Sequence, residues 1–293
     1  VIPQLLIKQG WSNRLVFQAL AMTIAAFAVT WAAWKDMWTI ATNDDEASHA
    51  LLVPIIAIWM VWVRQARFLR CPPGGGIVGV GVLALGWAMS AFGYQNSMQS
   101  LWHFGSVLIV VGAALSVLGK HVLFQFLPAF MVLVFLVPVP GRIREAISIP
   151  LQSASASATH AILQVLGVDT DLNQNTLSVN GMNIAVAEAC NGMRMVFALV
   201  LVSYAFAFGT PLKGYVRALI LLLSPVAALA CNIPRLVATV LVYVIGDNKE
   251  MGDWFHDVAG WLMLPFAFLI LLAITRALRW ALLPVEKFTL AYQ

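Results

Sequence analysis

Apolar runs long enough to cross a bilayer take up most of this chain, and they restrict what it can fold into. A span needs about 20 mostly apolar residues. Eight segments qualify or come close: 15–34, 50–63, 77–93, 101–118, 123–139, 192–209, 216–245 and 257–275. The second is short, and its start reaches back to Ala47. Lipid offers no hydrogen bonds, so each backbone N–H and C=O must be satisfied within its own run, and the runs read as α-helices. Composition agrees, with 61% apolar and 10% charged residues, against roughly 45–50% and 25% in a soluble domain. A mean hydropathy of +0.86 excludes both a water-soluble globule and a disordered chain. Segment 15–34 exceeds a signal-peptide core and no clear cleavage site follows, so it reads as a retained first span. No internal repeat or linker stands out. The expectation is an all-α polytopic membrane protein of about eight spans, forming a single integral-membrane domain over 1–293.

The connections set the orientation. With a cytoplasmic N-terminus, the inside segments hold Lys8, Arg14, Arg64, Arg67, Arg70, Lys120, Lys213, Arg217, Arg276, Arg279 and Lys287, which is 11 of the 17 basic residues. Twelve of the 13 acids then fall outside, with Glu286 as the exception. The excess of Lys and Arg on one side predicts that side to be cytoplasmic, as are both termini. Tryptophans near the ends of the runs (Trp11, Trp34, Trp38, Trp59, Trp62, Trp280) suit interfacial belts.

The long connection 141–189 is the ambiguous part. Stretch 147–168 carries no charge, yet its serines, glutamines, threonine and His160 are costly against lipid. After Pro150, residues Leu151, Ala154, Ala158, Ile162 and Val165 make one helical stripe, with Gly167 as a stop. A short extracytoplasmic helix on the membrane surface or against the bundle is expected, in preference to a ninth span. Leu177 and Val179, then Asn180-Gly181, then Ile184 and Val186 read as a β-hairpin before the sixth span.

An ionisable or reactive group at membrane depth is a functional candidate by default. Cys190 lies in Glu188-Ala189-Cys190-Asn191-Gly192-Met193-Arg194, where the sixth span begins. The positive end of a helix dipole and Arg194, four residues on, both favour a thiolate there. A buried cysteine is otherwise a small hydrophobe, the reading given to Cys71. Arg235, in Asn232-Ile233-Pro234-Arg235, lies about 28 Å along the span that starts at Val216, near the outer face. Its alternative role is a structural arginine reaching headgroups or an acid. His256 stands at the outer mouth of the last span, between a candidate base and an interfacial histidine held by Asp253 or Asp257. His49, in Ser48-His49-Ala50, is a competing base, while His103 and His121 read as interfacial fillers. A Cys190–Cys231 disulfide is the lesser alternative to a free Cys190 thiol. No metal-ligand spacing and no phosphate-cradling glycine loop occurs, so neither a metal nor a cofactor is expected. No basic run with interleaved aromatics suggests a nucleic-acid partner.

A thiol, an imidazole and a guanidinium on one membrane face suit acyl transfer: Cys190 as nucleophile, His256 as base and then acid, Arg235 stabilising a thiolate or oxyanion. Arg194, Asn232 and His49 are supporting candidates. At these residues the sequence resembles the exosortase/archaeosortase family of membrane cysteine transpeptidases. The resemblance rests on Cys190-Asn191-Gly192-Met193-Arg194, on Asn232-Ile233-Pro234-Arg235, on His256 before the final span, and on Ser48-His49-Ala50-Leu51-Leu52-Val53-Pro54, where Ala50 replaces the usual glycine. It implies a bacterial inner-membrane enzyme linked to exopolysaccharide production, its site facing the periplasm. The implied partners, besides membrane lipid, are exported proteins with a C-terminal PEP-CTERM-like signal: a short motif, a transmembrane helix and a basic tail. A transporter or polysaccharide-export component using Arg194 and Arg235 to bind an anion is the competing reading, and an envelope scaffold a third. The cytoplasmic halves of the spans offer no polar path that would favour transport.

Overall fold

The computed structural model describes residues 11–72, 74–173, 176–179, 182–185 and 192–246, with isolated positions between 254 and 276. These fall into two compact units, one of Val1–Pro140, Phe208–Pro211 and Glu286–Gln293, the other of Gly141–Ala207 and Leu212–Val285. The first holds helices α1 (Asn13–Val29), α2 (Trp31–Asn43), α3 (Val53–Val63), α4 (Ile77–Gln95), α5 (Gln99–Leu118), α6 (Lys120–Gln125) and α7 (Leu127–Met131), with 3-10 turns over Asp45–Leu52, Gln65–Arg70 and Val132–Leu136. The second holds α8 (Gly141–Val165), strands β1 (Thr170–Asn173), β2 (Thr176–Val179) and β3 (Met182–Ala185), then α9 (Gly192–Gly209) and α10 (Gly214–Gly246).

Among the described residues, four helical segments are long and apolar enough to cross a membrane: Glu46–Val63, Ile77–Gln95, Gln99–Leu118 and Gly214–Val244. The number rises to six if two broken helix pairs each count as a span. The protein is therefore a multi-pass helical membrane protein, while the expected eight spans are not reproduced one for one. The first expected span breaks at Thr30, where α1 and α2 meet at 73°. There the Thr30 hydroxyl donates to the Ala26 carbonyl at 2.8 Å, and Trp34 Nε1 donates to that hydroxyl at 2.9 Å. The fifth is cut into α6, α7 and a 3-10 turn around Pro128, whose ring cannot supply a helical N–H. The eighth lies largely outside the described residues.

Glycine spacing builds the α4–α5 hairpin. Gly79, Gly86 and Gly93 on α4, and Gly105 and Gly112 on α5, recur every seven residues, so each set forms one stripe along its helix. A Cβ on any of the five would come within 3.0 Å of the opposing helix; at Gly86 it would lie 2.7 Å from the Ile109 nitrogen. Without a hydrophobic drive between helices in lipid, such close backbone approach supplies van der Waals attraction that larger side chains prevent. The reversal runs through Ser97, at φ 56, with the Met98 N–H on the Gly93 carbonyl at 2.8 Å. At the outer edge of this packing, His103 is not the interfacial filler expected from sequence. It is wholly buried, and its Nε2 donates to Asp36 Oδ2 at 3.0 Å, an oxygen that also accepts from Gln99 Nε2 at 2.8 Å. Cys71 is fully buried as expected, and burial pushes its thiol pKa up, away from reactivity.

The second unit revises the reading of 141–189. The hairpin is present, with Leu177 opposite Ile184 and Val179 opposite Met182, which leaves the two-residue connection Asn180-Gly181 where it was expected. The backbone of that connection lies outside the described residues. A further strand, β1, extends the sheet to order β1-β2-β3, antiparallel throughout. Gly167 ends α8 as expected, at φ +80, with the Val168 N–H on the Leu163 carbonyl and the Gly167 N–H on Gln164, both 3.0 Å.

The expected helix takes the second of its two anticipated placements, against the bundle: it is 25 residues long, where a short one was expected, and lies lengthwise against α10. Leu151 packs against the cluster that holds Ala227, Ala228 and Cys231 of α10, Ser155 meets Asn232, and Ala156 clusters with Leu236 and Leu163 with Val240. Contact positions rise together along both chains, so the helices run in the same direction. The face also differs from expectation. Ala154, Ile162 and Val165 of the apolar stripe are exposed, whereas Ser148, Ser155, Ala156, Thr159 and Leu163 are buried. On the inward face Ser155 gains a partner, the Asn232 amide of α10.

Two predictions follow from these packings. Gly105→Leu costs about 2 kcal/mol or more, by overpacking against backbone, whereas Gly81→Ala, with nothing within 4 Å of its Cβ position, is neutral or slightly stabilising. Thermal melts in detergent read both. A spin label at Ile162→Cys is more accessible to oxygen than to a water-soluble nickel chelate in vesicles, and a label at Ala156→Cys is accessible to neither.

Candidate active site

Three positions per two turns of α10 build a polar stripe. Asn232, Arg235 and Thr239 follow at i, i+3 and i+7, so they project from one face. The apolar Ala228, Leu236 and Val240 flank them and bind α10 to its neighbours through clusters with α8, α9 and the sheet. The stripe is buried, with Asn232 3%, Arg235 6% and Thr239 1% exposed. Polar groups in such surroundings cost several kcal/mol unless they find partners, and α8 answers with its own hydroxyl face.

Asn232 Nδ2 donates to Ser155 Oγ at 3.4 Å. Asn232 Oδ1 and the buried Thr159 hydroxyl have no partner among the described residues. Thr239 Oγ1 donates to the Arg235 carbonyl at 2.8 Å. The Arg235 guanidinium reaches α9, where Nη1 lies 3.8 Å from Met195 Sδ. Met195 follows Arg194 in the first turn of α9, so Arg235 brings its charge to the helix end where unpaired N–H groups already concentrate positive potential. The arrangement favours an anion beside the start of α9.

Two prolines interrupt α10, and the local sequence accommodates one visibly. Pro225 cannot donate to the Leu221 carbonyl, and Ser224 Oγ does so instead at 2.9 Å. Pro234 likewise withholds an N–H from the Ala230 carbonyl, one residue before Arg235. Cys231, one turn before Arg235, is a free thiol packed among Met195, Val196, Leu199, Ala227 and Ala228. The Cys190 end of the conceivable Cys190–Cys231 bridge lies outside the described residues.

Of the residues singled out in the sequence, the structure brings together Asn232, Arg235 and the first turn of α9, which begins two residues after Cys190. Cys190 and His256 lie outside the described residues, as does the side chain of Arg194. His49 belongs to the first unit, in the 3-10 turn before α3, where it is buried and its Nδ1–H donates to the Glu46 carbonyl at 2.9 Å. No group of three His, Cys, Asp or Glu side chains able to hold a metal occurs among the described residues. Ser155 and Thr159 were not foreseen as part of the site. Their signal was the hydroxyl spacing Ser148, Ser155, Thr159, which marks a helix face as clearly as the apolar stripe beside it.

These features define a polytopic helical membrane protein with an arginine buried against a helix start. The profile of the transmembrane exosortase family matches residues 34–273. The chain belongs to that family. Comparisons with curated proteins and with solved structures gave no match.

Ser155→Ala removes the acceptor of Asn232 Nδ2 in a buried site. The expected cost is about 1 kcal/mol, read as a lower melting temperature, while Ser153→Ala at an exposed position of the same helix leaves it unchanged.

Proposed function

We propose that this protein is a membrane-embedded cysteine protease or transpeptidase that removes the C-terminal PEP-CTERM-like sorting signal of exported proteins at the outer face of the bacterial inner membrane. The observation that carries the reading is the placement of Arg235: a guanidinium held in the bundle interior against the first turn of α9, just downstream of Cys190 in sequence. A positive centre inside apolar surroundings has a purpose if an anion is generated beside it. Acyl transfer generates two, the attacking thiolate and the tetrahedral oxyanion.

In this mechanism the Cys190 thiolate attacks the scissile carbonyl, and His256 holds the thiol proton and then delivers it to the leaving amine. Arg235 and the N–H groups at the start of α9 oppose the negative charge that moves from sulfur to oxygen. Collapse leaves a thioester on Cys190 and releases the signal. Water or an amine then takes the acyl group, restoring the thiol. Asn232 and Ser155 hold the α8–α10 seam and so fix the face from which Arg235 projects. Arg194 adds a second positive charge to the same turn. The buried polar groups of α10 form a single stripe opposed by α8, a construction suited to holding one charge in place.

A co-expressed substrate bearing a C-terminal tag behind such a signal tests the reading. Wild type removes the tag. Cys190→Ala abolishes removal at equal membrane levels, and Arg235→Lys, which keeps charge but loses the planar fork, slows it by about 10²-fold or more. Undiminished processing by Cys190→Ala would overturn the mechanism. A membrane-impermeant maleimide should label Cys190 from the outer side of intact cells.

A further inference from the structure

The first unit contains a cavity of about 410 Å³ that the proposed reaction does not use. Its walls come from α1 (Val16, Leu20, Thr23), the end of α5 (Leu118), and the aromatic pair Trp11 and Phe68. Trp11 closes one end: its ring meets Phe68 edge-on at 5.9 Å, and its Nε1 donates to the Cys71 carbonyl at 3.0 Å. From Asn13 to Thr23 the lining follows α1 for ten residues, which is about 15 Å, or half of a hydrocarbon layer about 30 Å thick. The depth is therefore that of one leaflet. A helix with its side chains is about 10 Å across, so the volume matches roughly one helical turn and is too small for a transmembrane segment. It has the size and lining of a slot for an acyl chain.

Three cations adjoin the lining in sequence. Arg14 follows the lining residue Asn13, Arg70 precedes Cys71, whose carbonyl holds Trp11, and Lys120 lies two residues after Leu118; all three are exposed. The close approach of Gly119 to the Gly74 carbonyl draws the start of α6 toward the 71–76 connection. Arg67 adds a fourth cation, its Nη1 on the Gln125 carbonyl at 3.2 Å. Residues 1–35 and 47–144, which supply every wall and rim position, contain no Asp or Glu.

We infer that this cavity is a binding site for one anionic phospholipid, an acyl chain in the slot and the phosphate against Arg14, Arg70 and Lys120. Basic pockets between membrane helices select anionic headgroups for this reason, since each cation near the surface adds favourable energy for a negative lipid and none for a zwitterionic one. The site lies wholly within the first unit and is independent of the proposed catalytic residues.

Native mass spectrometry of the purified full chain, with phosphatidylglycerol or phosphatidylcholine added to the micelles, tests it. Wild type should retain one phosphatidylglycerol in preference to phosphatidylcholine. Arg70→Gln with Lys120→Gln should lower that retention about fivefold per charge removed. Val16→Trp, which fills the slot from an exposed lining position, should lower it as well, with the melting temperature of each variant checking the fold. Equal retention of the two lipids would make the cavity an unselective apolar groove and overturn the proposal. So would a phosphatidylglycerol preference that survives the rim substitutions or the filled slot in a folded variant.

Discussion

Burying the Arg235 guanidinium among apolar helices is the constraint to which the second unit answers. A cation there is costly unless surrounding dipoles and hydrogen-bond acceptors compensate it. Met195 offers a polarizable sulfur to Nη1. Along the same face of α10, Thr239 Oγ1 donates to the Arg235 carbonyl and the Asn232 amide is fixed on Ser155. The Asn232–Ser155 contact goes with the inward hydroxyl face of α8, which leaves Ile162 and Val165 outward. The same contact explains why α8, whose sequence allowed a place on the membrane surface or against the bundle, packs lengthwise on α10, where Ser155 is used. The sheet then caps the seam through Leu177 and Val179, both buried against α8 and α10.

The first unit solves a different problem with different residues. Its α4–α5 hairpin has little polar glue and relies on contact area, which glycines at every seventh position make available by letting backbones meet. The hydrogen bonds among Asp36, Gln99 and His103 then tie α2 to α5. Rigid, glycine-packed helices on one side and a hydroxyl-lined seam on the other show two ways to hold helices together where water does not drive them. The second places Arg235 in its interior, and the residues expected to be reactive flank that seam in sequence.

The matched region, 34–273, begins within α2 and takes in α8, the sheet, α9 and α10. The Asn-x-x-Arg pattern gains a physical meaning from the fold. Three residues of helix place Asn232 and Arg235 on one face, the first to grip α8 and the second to project toward α9. Spacing of this kind is specific because a shift by one residue would turn the guanidinium toward Leu236's side of the helix.

Composition and periodicity determined a good deal alone. The apolar runs of α4, α5 and α10 could only be membrane helices, because no other structure satisfies their backbone in lipid. Leu177, Val179 and the Asn-Gly step marked the hairpin, and Gly167 marked the end of α8, because both signals are local backbone preferences. Arg235 stood out since a charge in an apolar run has few explanations. Tertiary structure decided the rest. Whether a run is one span or two helices depends on a hydroxyl at Thr30 and a ring at Pro128, whose effects hinge on neighbours. Which face of α8 turns inward depends on what waits on α10. A hydroxyl stripe and an apolar stripe are equally legible in sequence, and only the surroundings, with Asn232 waiting on α10, select between them.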